Sequence, residues 1–469
     1  MAATPHKEAK NMVDFAIEPE FQQKLDWMKG FIRDKVYPLE YLYDYDKDAP
    51  YDIQNKPLRR LVRRLQREVQ EQGLWAAHLP QHLGGKGFGA VKLTYINEQF
   101  GTSAFGPVIF GCQGPDSGNS EILAMFGTPE QKEKYLQPLL ANDIFSCYAM
   151  TEPQGGSDPT NLRTTAVRDG DGWIINGDKW FASSANHAAF LIVMAVTNPE
   201  AEPHKRATMF IVPTDTPGFE IVRSIGLFSD DYRSGGHPWI RFTDVRIPDS
   251  QRLGPVGEGF KVAQSRLGGG RLHHAQRTIG RVKQMIDMMG ERALSRESYG
   301  EKIANRQAVQ MDIANSYIEY QQFRLLVLYT AWMFDAKQEH GREGRKMISA
   351  VKAAMSKIAQ DVTLRALHLH GSIGLSNEMQ FSRHLAIALH EGVADGVTEL
   401  HLSAVAKQVL REYRPADGDF PTDALFRRKA WAAKQIEPLL RECGVTLEEG
   451  RADPEFHPPR ETAPRAPTP

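Results

Sequence analysis

Three cysteines in 469 residues leave no material for a disulfide frame. Cys112, Cys147 and Cys443 are odd in number and far apart, which fits a soluble chain kept in a reducing, intracellular setting. Long hydrophobic stretches are also missing. The longest apolar run, Ala188–Val196, covers nine residues, against the ~20 that a membrane helix needs. It predicts a buried strand and no membrane span. The first residues carry no apolar signal region. Neither sign of charge is in excess: 57 lysines and arginines face 58 aspartates and glutamates, a net −1. Nothing in that balance draws the chain to nucleic acid.

What is present divides the chain. Residues 16–145 carry apolar positions at helical spacing, as in Phe21, Leu25, Met28 and Phe31. Pro57–Gln72 reads as a helix with a strongly basic side, explained by solvated arginines. Thr128-Pro129-Glu130-Gln131 has the form of a helix start with a capping box. The run Gly84–Ala90, GGKGFGA, has no preceding strand and no βαβ context, so it reads as a loop. From 146 to 255 short β-branched and apolar segments alternate with Asp-Gly, Asn-Gly and Pro-Gly turns, which predicts a compact antiparallel barrel or sandwich of six or so strands. Long helical patterns return over 256–415. There Gly268-Gly269-Gly270 should break the helix, since each glycine costs about 1 kcal/mol against alanine; alternatively, something bulky lies against that face. Residues 416–469 form an extension, with a helix expected over Asp423–Glu442 and a proline-rich, disordered end. The fold class is α+β: helical domain, β-domain, helical bundle.

The stretch around which the rest is organised is YAMTEPQGGSD, Tyr148–Asp158, followed by DGDGWIINGDK and KWFASSAN. Gly155 and Gly156 permit close approach of the backbone to a ligand. Thr151 and Ser157 put hydroxyls on either side of the bend. Alone, such a segment is a surface turn. In this order the pieces resemble the acyl-CoA dehydrogenase family, whose flavin signature runs TEP-x-x-GSD and then ING-x-K. Within the family, GGR-LHH-x-x-RT-x-G and ADG-x-x-E-x-HLSA resemble the branch of the human members numbered ten and eleven. The resemblance covers roughly residues 16–412.

It implies a helical N-terminal domain, a central β-domain and a C-terminal four-helix bundle. It also implies FAD as cofactor, an acyl-CoA substrate, an electron-transferring flavoprotein as electron acceptor, a place in fatty-acid β-oxidation, and a homodimer or homotetramer. Tyr148, Met150, Thr151, Gly156 and Ser157 fall at cofactor-contacting positions of the family, Ser157 also toward substrate. Phe181 and Ser183 fall in the segment packed on the flavin ring, with Phe181 where tryptophan is usual and Trp180 as a possible substitute. Arg271 matches an arginine beside the catalytic centre. Arg296, Tyr299 and Gln307 match residues reaching the FAD of a neighbouring subunit. The loop that cradles the partner's pyrophosphate corresponds to His368, Gly371, Ser372 and Gly374; His368 and Ser372 depart from its usual glutamine and glycine. His368 and His370 lack cysteine companions, and no metal site is expected.

The catalytic base falls at Asp395, with Gly396 beside the substrate. Glu391-Gly392 mimics the same dipeptide four residues earlier, and Glu391→Gln is expected to leave flavin reduction within a few-fold. A second family solution, a glutamate just before the arginine, is closed because Gly270 stands there. The chemistry implied is α-proton removal by the carboxylate, with the β-hydride passing to flavin N5. Two alternatives stay open: a flavin oxidase of the same fold, of acyl-CoA or nitroalkane type, and a non-enzymatic DNA-associated relative. Peroxide formation under air and a salt-sensitive DNA shift, respectively, would distinguish them.

Overall fold

The computed structural model describes residues 13–447 apart from 47, 84, 229–234 and 337–340. Gly84, most of the N-terminal arm and the proline-rich end lie outside the described residues.

The first part is helical: α1 (Pro19–Phe31), α2 (Tyr37–Leu42), α3 (Lys56–Glu71), α4 (Ala90–Phe100), α5 (Gly106–Ile109), α6 (Asp116–Phe126), α7 (Pro129–Gln131) and α8 (Gln137–Leu140). Helix α1 buries Phe21, Leu25, Met28 and Phe31, one stripe at 3.6 spacing. In α3 the Asn55 side chain caps the Leu58 amide, while Leu58, Val62 and Val69 face inward. Its basic side is partly used within the fold: Arg59 and Arg63 hydrogen-bond to the turn at Ala141–Asp143, whereas Arg60, Arg64 and Arg67 are exposed. The Thr128/Gln131 capping box is formed.

Among the described residues eight strands follow: β1 (Ser146–Ala149), β2 (Thr165–Asp169), β3 (Gly172–Lys179), β4 (Phe190–Val196), β5 (Ala207–Pro213), β6 (Phe219–Arg223), β7 (Trp239–Pro248) and β8 (Arg252–Leu253). They form one sheet in the order β6-β7-β3-β2-β4-β5-β8, with β1 also on β4. The sheet is mixed, not purely antiparallel. Strand β1 pairs parallel with β4 from Ser146↔Phe190 to Ala149↔Val193, and β2 meets the same edge only at Thr165↔Val196. Turn spacing cannot reveal this, because β1 and β4 are brought together by a long connection and no hairpin. The nine-residue apolar run is explained by β4 being covered on both faces. Leu191, Val193 and Ala195 pack with Trp173, Phe210 and Phe242; Phe190, Ile192 and Met194 pack with α6 side chains Ile122 and Leu123.

Then come α9 (Gly259–Ser295), the small hairpin β9 (Glu297–Ser298) and β10 (Glu301–Lys302), α10 (Gln307–Asp335), α11 (Arg342–His370), α12 (Phe381–Glu391) and α13 (Thr398–Leu410). Helix α9 runs unbroken through Gly268–Gly270, against the expectation of a break. Buried Val262, Ala263 and Leu267 before the triplet, and Leu272, Ala275, Ile279 and Val282 after it, hold both halves on one axis, and this packing overrides the propensity loss. The core of this part joins α9 to α10, α11 and α12 through Ile279, Met285, Phe323, Val327, Met355, Val362 and Phe381. The chain divides into two compact units at residue 405. The second contains α14 (Leu425–Cys443), which has no buried side chain. No helix among the described residues is long and apolar enough to cross a membrane.

Candidate active site

The Tyr148–Asp158 loop leaves the sheet where the edge of β4 passes from β1 to β2. A buried ion pair fixes it. Lys179 Nζ lies 2.7 Å from Glu152 Oε1 and donates to Met150 O at 3.0 Å. Glu152 also accepts the amides of Arg163 at 2.6 Å and Thr164 at 3.0 Å. Burial alone would raise the Glu152 carboxyl; Lys179 and the amide donors outweigh it and hold it below the usual range. The Trp180 amide donates to Thr151 O at 2.8 Å. The glutamate and lysine of the two motifs are thus pins that shape the loop, a task the sequence reading did not assign to them.

Beyond the pins the loop is open. Nothing lies within 4 Å of a Cβ added at Gly155, and only Thr151 Cγ2, at 3.6 Å, near one at Gly156. Ser157 is exposed and Thr151 half-buried. Phe181 is 43% exposed, and its ring contacts Trp180 and His237. Ser183 Oγ lies 2.8 Å from His237 Nδ1.

Asp395 lies in the turn between α12 and α13, with a left-handed φ of +57°. Its main chain is clamped: Arg271 Nε donates to Asp395 O at 3.0 Å, and His401 Nε2 lies 3.3 Å from the same oxygen. Gly396, at φ +102°, has no room for a side chain, since a Cβ there would stand 2.8 Å from His401 Nε2. The carboxylate faces α9. His274 Nε2 is 3.7 Å from Oδ2, and a Cβ on Gly270 would be 3.9 Å from that oxygen. Burial pushes the Asp395 carboxyl up, but His274, Arg266, Arg271 and Lys352 together hold it below the ordinary range. The amide of Asp395 donates to no group among the described residues. A second carboxyl, Glu121 on α6, also faces the triplet, 3.4 Å from where a Gly269 Cβ would be. Burial raises it to about 8 against the weak pull of Arg266.

Arg266 links this centre to the loop. Its guanidinium lies 4.0 Å from the Tyr148 ring centroid, and its Nε donates to Asn119 Oδ1 at 3.1 Å. Tyr148 OH in turn donates to Met150 Sδ at 3.6 Å. The fold thus gathers Tyr148, Met150, Arg271, Asp395 and Gly396 around α9, with Arg266, Glu121, His274, Lys352 and His401 added. Their signal was present but dispersed: Arg266 is five residues before Arg271, and His274 is one turn after Gly270.

Glu391 has a different setting. It is buried, with Arg281 NH1 at 2.7 Å and Thr278 Oγ1 donating at 3.0 Å. A glutamine there would leave Arg281 without its buried partner, which bears on folding rather than on the rate of flavin reduction.

Arg296, Tyr299, Gln307, His368, Gly371, Ser372 and Gly374 are not brought to this centre. From Arg271 to Arg296 the helix runs about 37 Å at 1.5 Å per residue. Around its far end Arg296, Tyr299, Gln307, His368, Gly371 and Ser372 are exposed and Gly374 is buried. Arg292 NH2 donates to His370 O at 3.4 Å, which joins the ends of α9 and α11. Among the described residues no group of three or more His, Cys, Asp or Glu is arranged to hold a metal ion.

Residues 19–143, 147–244 and 257–410 match, in chain order, the N-terminal, middle and C-terminal domains of acyl-CoA dehydrogenase. The chain belongs to the acyl-CoA dehydrogenase family. It is 36% identical over 407 residues to "Probable acyl-CoA dehydrogenase FadE2" of Mycobacterium tuberculosis, covering 85% of this chain and 97% of that one. It is 35% identical over 414 residues to mouse "Acyl-CoA dehydrogenase family member 11", covering 87% of this chain but 52% of the relative. It therefore spans about half the length of that curated relative. The butyryl-CoA dehydrogenase of Megasphaera elsdenii superposes with a TM-score of 0.71 at 25% identity, over 85% of this chain and 100% of that one. The fold, helical then mixed-sheet then helical, is that of the acyl-CoA dehydrogenase family.

Proposed function

We propose that this member of the family is an FAD-dependent dehydrogenase of acyl-CoA thioesters, with Asp395 as the base. The observation that carries the reading is the Asp395 side chain, held by a clamped turn against a stretch of α9 that has no side chains. Removal of an α-proton needs a carboxylate at a fixed place with free space before it. Gly268–Gly270 supply the space; Arg271 and His401 hold the turn. The uncommitted Asp395 amide is suited to donate to the thioester oxygen as negative charge develops there.

The residues present fit FAD. The Gly155–Ser157 backbone is open, Thr151 and Ser157 offer hydroxyls, and Trp180 and Phe181 offer aromatic surface beside the pinned loop. Bound FAD would supply the two-electron acceptor for the β-hydride. Tyr148, Met150, Thr151, Gly156, Ser157, Phe181 and Ser183 are assigned to it, with Ser157, Arg271 and Gly396 toward substrate. A solved relative of the same fold, the FAD complex of PigA, is 24% identical with a TM-score of 0.71. Arg296, Tyr299, Gln307, His368, Gly371, Ser372 and Gly374 would then serve a second copy's cofactor from the far end of α9, making the enzyme a homo-oligomer. The proposed electron acceptor is an electron-transferring flavoprotein. The test is anaerobic bleaching of the protein-bound flavin by a panel of acyl-CoAs. Bleaching by at least one is expected; no flavin binding, or no reduction by any acyl-CoA, would end this reading.

A further inference from the structure

The face of α9 beneath Asp395 is made by two positions one helical turn apart, 270 and 274. Position 270 has no side chain, and the Asp395 carboxylate sits over it, 3.9 Å from where its Cβ would be. Position 274 carries an imidazole whose Nε2 is 3.7 Å from Oδ2 of the same carboxylate. Between them Arg271 holds the Asp395 carbonyl. One turn of one helix therefore fixes the main chain of the base and also has a donor beside its side chain.

We propose that His274 is a positioning residue for the base: its Nε2–H holds Oδ2 of Asp395, so that Oδ1 is presented to the α-proton of the thioester. The inference rests on the reading of Asp395 as the base. A carboxylate on a short side chain can rotate about its last bond, and one anchored oxygen removes that freedom. Closing 3.7 Å to a hydrogen bond of about 2.9 Å requires only a small side-chain adjustment. Burial lowers the His274 imidazole, with Arg277 and Arg281 from α9 and His390 from α12 adding to it against the opposing pull of Asp395, and either protonation state leaves the ring an N–H to donate. The other charged or titratable groups facing Asp395 are Arg266 and Arg271 from α9, Lys352 from α11, His401 from α13 and Tyr148 from β1. None of them except Arg271 and His401 hydrogen-bonds to Asp395, and those two reach its carbonyl oxygen, not its carboxylate.

The two ring nitrogens give the test. Glutamine carries its amide nitrogen near the place of Nε2; asparagine carries it about 1.5 Å short, near Nδ1. His274→Gln, His274→Asn and Asp395→Asn are compared as full-length, FAD-loaded proteins, using the best acyl-CoA of the panel. We expect His274→Asn to lose kcat by about tenfold or more with KM within threefold, and the acid limb of the pH profile to move up, because the carboxylate has lost a donor. His274→Gln should restore kcat to within about threefold and return the limb to its wild-type position. Wild-type kcat and pH profile in His274→Asn would overturn the proposal. So would equal loss in both variants, which marks a packing role, or misfolding of the glutamine variant with loss of FAD. If Asp395→Asn keeps the wild-type rate, the reading of the base fails instead, whatever the His274 variants do.

Discussion

Replacing Lys179 by methionine removes one buried charge and almost no volume. The Glu152 carboxylate would keep the amides of Arg163 and Thr164 but lose the ammonium at 2.7 Å, and Met150 O would lose its 3.0 Å donor. Breaking a buried pair by removing one partner costs about 3–5 kcal/mol, because the remaining charge is uncompensated. That is a large share of the 5–15 kcal/mol typical of a folded domain. Denaturant unfolding followed by tryptophan fluorescence should move to lower urea. Flavin retained through gel filtration should also fall, because the lost contacts define the path of Thr151–Ser157. Glu152→Gln with Lys179→Met removes the orphaned charge and should recover about 1–3 kcal/mol of the loss. A single variant within about 1 kcal/mol of wild type, or a double variant no better than the single, would refute the pinning argument. The pair has a pH signature as well. Glu152 is held below its unfolded-state value, so its contribution is present above about pH 4.3 and is lost as pH falls through the lower, folded value.

Three further outcomes follow from the same geometry. Gly280→Ala should destabilise strongly, because its Cβ would stand 2.1 Å from Glu98 O on α4, whereas Gly268→Ala meets nothing within 4 Å and should gain about 1 kcal/mol of helix stability; paired melts decide it. Arg281→Met should cost about 3–5 kcal/mol by leaving Glu391 buried without its cation, measured by urea unfolding. Glu121 is raised to about 8 in the folded state, so wild-type stability should decline as pH rises from about 4.3 toward 8, and Glu121→Gln should flatten that decline in melts across the range.

Much of the fold was legible because its signals are local. The α1 stripe, the Thr128 capping box and the strand-forming segments each need only neighbouring residues. The parallel pairing of β1 with β4 was not legible, since it depends on a partner more than forty residues away. The continuity of α9 through three glycines was hidden for a related reason: propensity speaks against it, and the packing that overrides it comes from other helices. In the site, the motifs gave the loop and the turn, but not why Glu152 and Lys179 stand in them. Burial of both in one pair appears only once β1 and β2 share one edge of β4 and β3 lies against β2. Glu391 and Asp395 are alike on the page as acid–glycine steps. The direction of each side chain separates them, one into Arg281 and Thr278, the other toward the open face of α9.

The most direct test of the account is Asp395→Asn. Asparagine accepts the left-handed backbone at φ +57°, keeps the size of the side chain and cannot take up a proton. FAD content and melting temperature should stay at wild-type values. Anaerobic flavin reduction by a good acyl-CoA, followed by stopped-flow absorbance, should fall by about 10³-fold or more. A variant that folds, binds FAD and still reduces it at the wild-type rate would contradict the assignment of the base.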